Sequence, residues 1–100
     1  MRTLELDSYV VETLLPDLVG HDRRPSAFLV YLALAGRSPT KQELARVSLR
    51  DLSELTGLSK RTVQEALRVL ARRRLIAISR AGATDVASYE VKRPWRRGGR

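Results

Sequence analysis

One hundred residues with nineteen Lys and Arg against eleven Asp and Glu, a formal net charge of +8, allow a single compact domain and point to a polyanionic partner. The absence of cysteine and the single histidine, His21, exclude disulfides, thiol catalysis, Cys-based zinc sites and His-rich metal centres, so no catalytic residue, metal or cofactor is expected. No apolar run approaches a membrane span, and the acid-bearing first residues do not read as a signal peptide, so a soluble cytoplasmic, nucleoid-associated protein is expected.

Residues 8–15 predict a short helix capped by Asp7 or Ser8. Pro16 ends or kinks it, or opens a further turn through Asp17, Leu18 and Val19. The apolar side chains Tyr9, Val10, Leu14, Leu15 and Leu18 exceed what a small domain needs there. Two uses are open: docking on the core, or pairing two subunits as a homodimer through residues 8–19. Residues 20–25 read as a polar connector with His21 exposed in it.

Ser26 to Ala35 is apolar on nearly every face, as in a helix buried on most sides. Ser26 is its expected N-cap and Gly36 its expected stop. Residues 37–42 read as a loop, and 43–47 are ambiguous between helix and short strand. Ser48 followed by Asp51 is a capping-box start, and Leu49, Leu52 and Leu55 give the next helix an apolar side. That helix ends at Thr56, Gly57 takes the left-handed turn, and Ser59 caps a second helix over residues 60–73. Residues 75–80 and 86–91 are strand-like and joined by a Gly-containing turn, a hairpin signature. Pro94 prevents the second strand from continuing, and residues 96–100 are expected to be mobile.

A short helix, a turn at glycine and a second helix have the spacing of a helix-turn-helix. Small Ser53 lets the helices approach, and Leu52, Leu58 and Val63 plug the angle between them. At about 100° per residue with Val63 at zero, Ala66, Leu67 and Leu70 fall within roughly 60° of it. Arg61, Glu65, Arg68 and Arg72 fall roughly 140–200° away, with Gln64 at about 100° on the flank. Arg and Gln are suited to paired hydrogen bonds with guanine and adenine edges in the major groove. Ser59, Lys60 and Thr62 sit where a helix N-terminus meets phosphate. Solvated ion pairs of Glu65 with Arg61 and Arg68 are the competing reading of the same face.

Charge segregates the same way. Residues 1–58 hold seven basic and eight acidic side chains, and residues 59–100 hold twelve basic and three acidic. Arg80 and Thr84 are candidates for backbone or minor-groove contacts, and Arg93, Arg96 and Arg97 for unspecific phosphate affinity. Trp95 either stacks on a nucleic acid or packs on the domain itself.

Residues 46–93, above all Thr56-Gly57-Leu58-Ser59-Lys60-Arg61-Thr62-Val63, resemble the winged helix-turn-helix of bacterial transcription factors. The resemblance implies a mainly α fold with a small β-hairpin wing: a three-helix core plus an extra N-terminal helix. It implies a recognition helix over residues 60–72, a wing over 80–86 with its tip at 82–85, and residues 26–35 as the first core helix. Two positions depart from it: Arg74 and Ser53 stand where many members have Gly and Ala. The division expected is a winged-helix domain over residues 1–93, with an N-terminal extension at 1–24, and a basic tail at 94–100. The expected function is sequence-specific binding of double-stranded DNA as a small transcriptional regulator, without membrane or small-molecule effector. The alternatives are a plasmid or phage replication-initiation or partition module, and a winged-helix protein–protein adaptor.

Overall fold

The computed structural model describes residues 1–38, 40, 44–79 and 86–99, with side chains through residue 96. The chain opens with two π-helical pieces, Val10–Leu14 and Pro16–His21. Next come helix α1 (Pro25–Arg37), strand β1 (Ala45–Arg46), helices α2 (Leu49–Thr56) and α3 (Lys60–Arg72), and strands β2 (Ile76–Ser79) and β3 (Ser88–Val91). A 3-10 segment, Pro94–Gly99, ends the described chain. No helix among the described residues is long and apolar enough to cross a membrane.

Pro16 explains the wide N-terminal turns. In an α-helix its ring would strike the carbonyl of Glu12 and its missing N–H would orphan that carbonyl. The ladder widens instead: the Leu15 amide donates to Val10 and the Asp22 amide to Asp17, each five residues back. Pro16 then starts the second piece rather than ending the helix. Val10, Leu14 and Leu18, four apart, all reach the core. Docking thus accounts for three of the five surplus apolar side chains, while Tyr9 and Leu15 are exposed at the surface. Asp7 does not cap with its side chain; its backbone carbonyl accepts from Val10 at 3.0 Å.

The polar connector is shorter than its composition suggests, because the helical run continues through Gly20 and His21. Arg23 turns the chain in the left-handed region (φ 57°), and the Arg24 amide donates to Leu18 at 2.7 Å. Helix α1 begins at Pro25, whose fixed φ suits the first helical position, so Ser26 lies inside it and is not the cap. Gly36 also lies inside, and the helix ends at Arg37. Ala27, Val30, Tyr31 and Leu34 of α1 sit at the centre of the core, and Leu29 is left in solvent. Burial pushes the Tyr31 hydroxyl up to about 12, and it donates to the Lys92 carbonyl at 3.0 Å.

The ambiguous stretch around residue 45 is a strand. β1 pairs with β3, and β3 with β2, all antiparallel, so the hairpin has a third strand on its inner edge. Ala45 and Ile78 both lie opposite the buried Tyr89. The result is a winged helix-turn-helix of the α+β class: helices α1 to α3 over a small three-stranded sheet. The expected wing tip at 82–85, with Arg80 and Thr84, lies outside the described residues.

The passage from α3 to the sheet is a Schellman turn. Leu75 donates to Leu70 at 2.9 Å and Arg74 to Ala71 at 3.0 Å, with Arg74 at φ 59°. Leu70 and Leu75 are both buried and supply the motif's apolar contact. Arg74 therefore occupies the conformation that glycine takes without cost, which a side chain disfavours by about 1 kcal/mol. Urea unfolding should show Arg74→Gly to be more stable by about 1 kcal/mol and Arg74→Val to be less stable than the natural chain.

Candidate nucleic-acid interface

The turn between α2 and α3 is held by side chains as well as by glycine. Ser48 caps α2 by accepting from the Asp51 amide at 3.0 Å, and the Asp51 carboxylate accepts from the Ser48 amide. Gly57 ends α2 at φ 77°, with open space around it, so it is present for its backbone conformation alone. Ser53 does more than leave room: its hydroxyl donates to the Leu58 carbonyl across the turn, which alanine could not do. Thr56 donates to the Leu52 carbonyl and accepts from the Leu58 amide. Ser59 opens α3, accepting from the Thr62 amide at 3.1 Å and donating to the Thr62 hydroxyl.

Burial fixes which way α3 faces. Val63, Ala66, Leu67, Val69 and Leu70 are buried, one more than the apolar stripe read from the sequence. Leu52 and Val63 fill the inter-helix angle completely, and Leu58 does so partly. Ser59, Lys60, Arg61, Gln64, Glu65, Arg68 and Arg72 are exposed, and Thr62 is half-buried. Arg61 reaches Glu65 at 3.8 Å, so the helical ion pair exists beside an otherwise open basic face. Lys60, Arg68 and Arg72 have no acidic partner among the described residues. Gln64 and Arg68 line a shallow recess with Leu49, Ile78 and Tyr89, which carries the polar face of α3 towards the sheet. A second recess holds Glu65, Arg68 and Arg72 together with Arg24, which no periodicity in the sequence associates with α3.

Other basic residues are bound within the chain. Arg73 pairs with Asp17 and reaches Asp22 at 3.4 Å, tying the end of α3 to the N-terminal helix. The ligand-type side chains Asp17, His21 and Asp22 lie close together there, with the Arg73 guanidinium between the two carboxylates. Arg93 donates to the Ser38 carbonyl at 2.7 Å. Arg96 grips Asp7 through two bonds, at 2.6 and 2.9 Å, and Trp95 donates to the same carboxylate. Trp95 stacks on Tyr9 at 4.6 Å between ring centres, so it packs on the domain. Residues 94–96 are thus docked on the N-terminal segment, where mobility was expected from residue 96 onward. The side chain of Arg97 lies outside the described part.

The Arg96 and Trp95 bonds hold the Asp7 carboxyl below its ordinary range, at about 2 rather than 3.8. A depressed carboxylate stabilises the fold above its unfolded pKa and ceases to do so as pH falls through the folded value. Emission from Trp95, the single tryptophan, should therefore hold steady down to about pH 4 and shift to the red between about pH 4 and 2. Asp7→Ala should show the shifted emission at neutral pH. Ser53→Ala should lower stability in urea by about 1 kcal/mol while leaving the helical circular dichroism unchanged.

Comparison with known proteins adds one match. The family model described as a helix-turn-helix domain, a DNA-binding module, matches residues 24–76. That span runs from Arg24 through α1, β1, α2 and α3 to the first residue of β2. No curated protein and no solved structure matches. The matched span is more than half of the chain and contains the capped turn and the basic outer face of α3: the chain belongs to the helix-turn-helix domain family.

Proposed function

We propose that this protein binds double-stranded DNA in a sequence-specific way as a small transcriptional regulator, with α3 in the major groove. The observation that carries the reading is the two-faced character of α3. A fully buried stripe holds it rigidly, and its opposite face offers Arg61, Gln64, Arg68 and Arg72 to solvent. A positioned helix of this kind is what base readout requires, because affinity from charge alone carries no sequence information.

Gln64 and Arg68 are the proposed base readers. They lie on the side of α3 towards the sheet, and their side chains can make paired hydrogen bonds with adenine and guanine edges. Arg61 joins them on exchanging Glu65 for a base. Ser59, Lys60 and Thr62 border the N-terminus of α3 and are proposed to meet the phosphates there. Arg80 and Thr84 of the wing and Arg97 of the tail are proposed backbone contacts on the grounds of sequence alone. Arg93 and Arg96 are left out of the interface, because carbonyl and carboxylate groups of the chain already hold them. Pairing of two subunits through residues 8–19 would use Val11 and Leu15, the apolar side chains that the core leaves exposed there beside Tyr9.

Selection of bound sites from a random duplex pool tests the reading. The natural chain should enrich one motif. Arg68→Ala should lose about 1–3 kcal/mol on that motif and relax the preference at one position of it. Enrichment of no motif, or an unchanged motif with Arg68→Ala, contradicts the assignment of α3 as reader. An adaptor between proteins would show no duplex binding even at low salt.

A further inference from the structure

The recess at the C-terminal half of α3 is built from that helix and from the residue that precedes α1. Glu65, Arg68, Val69 and Arg72 line it from α3, and Arg24 lines it from the residue preceding α1. Three guanidinium groups therefore share one concavity with a single carboxylate, and that carboxylate is engaged by Arg61 at 3.8 Å. Among the described residues, no ion pair joins Arg24, Arg68 or Arg72 to an acid. Like charges around one recess favour an anion among them.

The position of Arg24 is set by backbone geometry. Arg23 turns the chain through the left-handed region, the Arg24 amide is tied to the Leu18 carbonyl, and Pro25 starts α1 immediately afterwards. Arg24 is the N-cap residue of α1, and no side chain caps that end of the helix. The Arg24 side chain is exposed and makes no ion pair among the described residues.

We infer that Arg24, with Arg72, clasps one phosphate of the DNA strand bordering the groove that holds α3, while Arg68 beside them is left to the bases. The inference rests on the proposed DNA reading and adds a second anchor, from the residue before α1, that fixes how far α3 enters the groove. Guanidinium groups suit the task because they meet phosphate oxygens through two parallel N–H bonds.

The test is anisotropy of a labelled duplex titrated with the full chain over a range of KCl concentrations. Circular dichroism confirms that each variant is folded. Arg24→Ala should reduce the slope of log affinity against log salt by about 0.9, one phosphate contact, and weaken selected and random duplexes by the same factor. Arg24→Lys should keep the slope. Arg37→Ala, the same charge removed at the far end of α1, should also keep it, which separates a local contact from net charge. A slope unchanged by Arg24→Ala, while the natural chain binds duplex, overturns the inference and leaves the DNA reading intact. Failure of the natural chain to bind any duplex overturns both. Inorganic phosphate that competes with duplex beyond its ionic strength, through Arg24 and with no change of slope, would make this a site for a free anion and overturn the assignment.

Discussion

Burying Val63, Ala66, Leu67 and Leu70 along one side of α3 turns Arg61, Gln64, Glu65, Arg68 and Arg72 outward on the other. Everything that the outer face is proposed to do depends on that packing. A helix of thirteen residues is marginal alone in water, so the apolar stripe both forms α3 and aims it. The ends add precision. Ser59 closes the first turn, the Schellman bonds at Arg74 and Leu75 close the last, and Arg73 ties the C-terminus to Asp17 and Asp22. Leu70 serves the core with its side chain and the cap with its carbonyl, so helix position and strand entry are coupled through one residue.

The excess positive charge divides into two populations. Arg73, Arg93 and Arg96 are held by partners in the chain and work as fasteners between distant segments. Lys60, Arg68 and Arg72 have no acidic partner among the described residues and stand on α3. Among the described residues of 59–100, part of the basic charge is therefore used within the chain, and the rest lies mainly on α3 and at Arg74. Asp7 is the counterpart of this arrangement: one carboxylate gathers Arg96 and Trp95 and fastens the end of the described chain to its beginning.

Local signals made the centre of the molecule legible. The box of Ser48 and Asp51, Gly57, Ser59 and the stripe of α3 are all set by neighbours within a few residues, and each is where its pattern put it. The strands of the hairpin carried their own β-branched runs. What escaped depends on distant partners. β1 is two residues long, too short for any period, and exists because Tyr89 and Ser88 pair with it. The π spacing answers Pro16 together with the need to bury Val10, Leu14 and Leu18 at once. The docking of Trp95 and Arg96 joins residues 88 and 89 positions apart. On the candidate interface, the α3 face was readable from helical geometry, whereas Arg24 reaches it only through the fold.

The most direct test of α3 as the DNA-facing element is a duplex titration of isotope-labelled protein, read by amide and arginine side-chain NMR shifts. The largest shifts should fall on residues 59–72 and on the Arg68 and Arg72 guanidinium groups. Trp95, Arg96 and Asp7 should stay nearly still. Shifts concentrated on the Asp7–Trp95–Arg96 clasp, with α3 unmoved, would contradict that role.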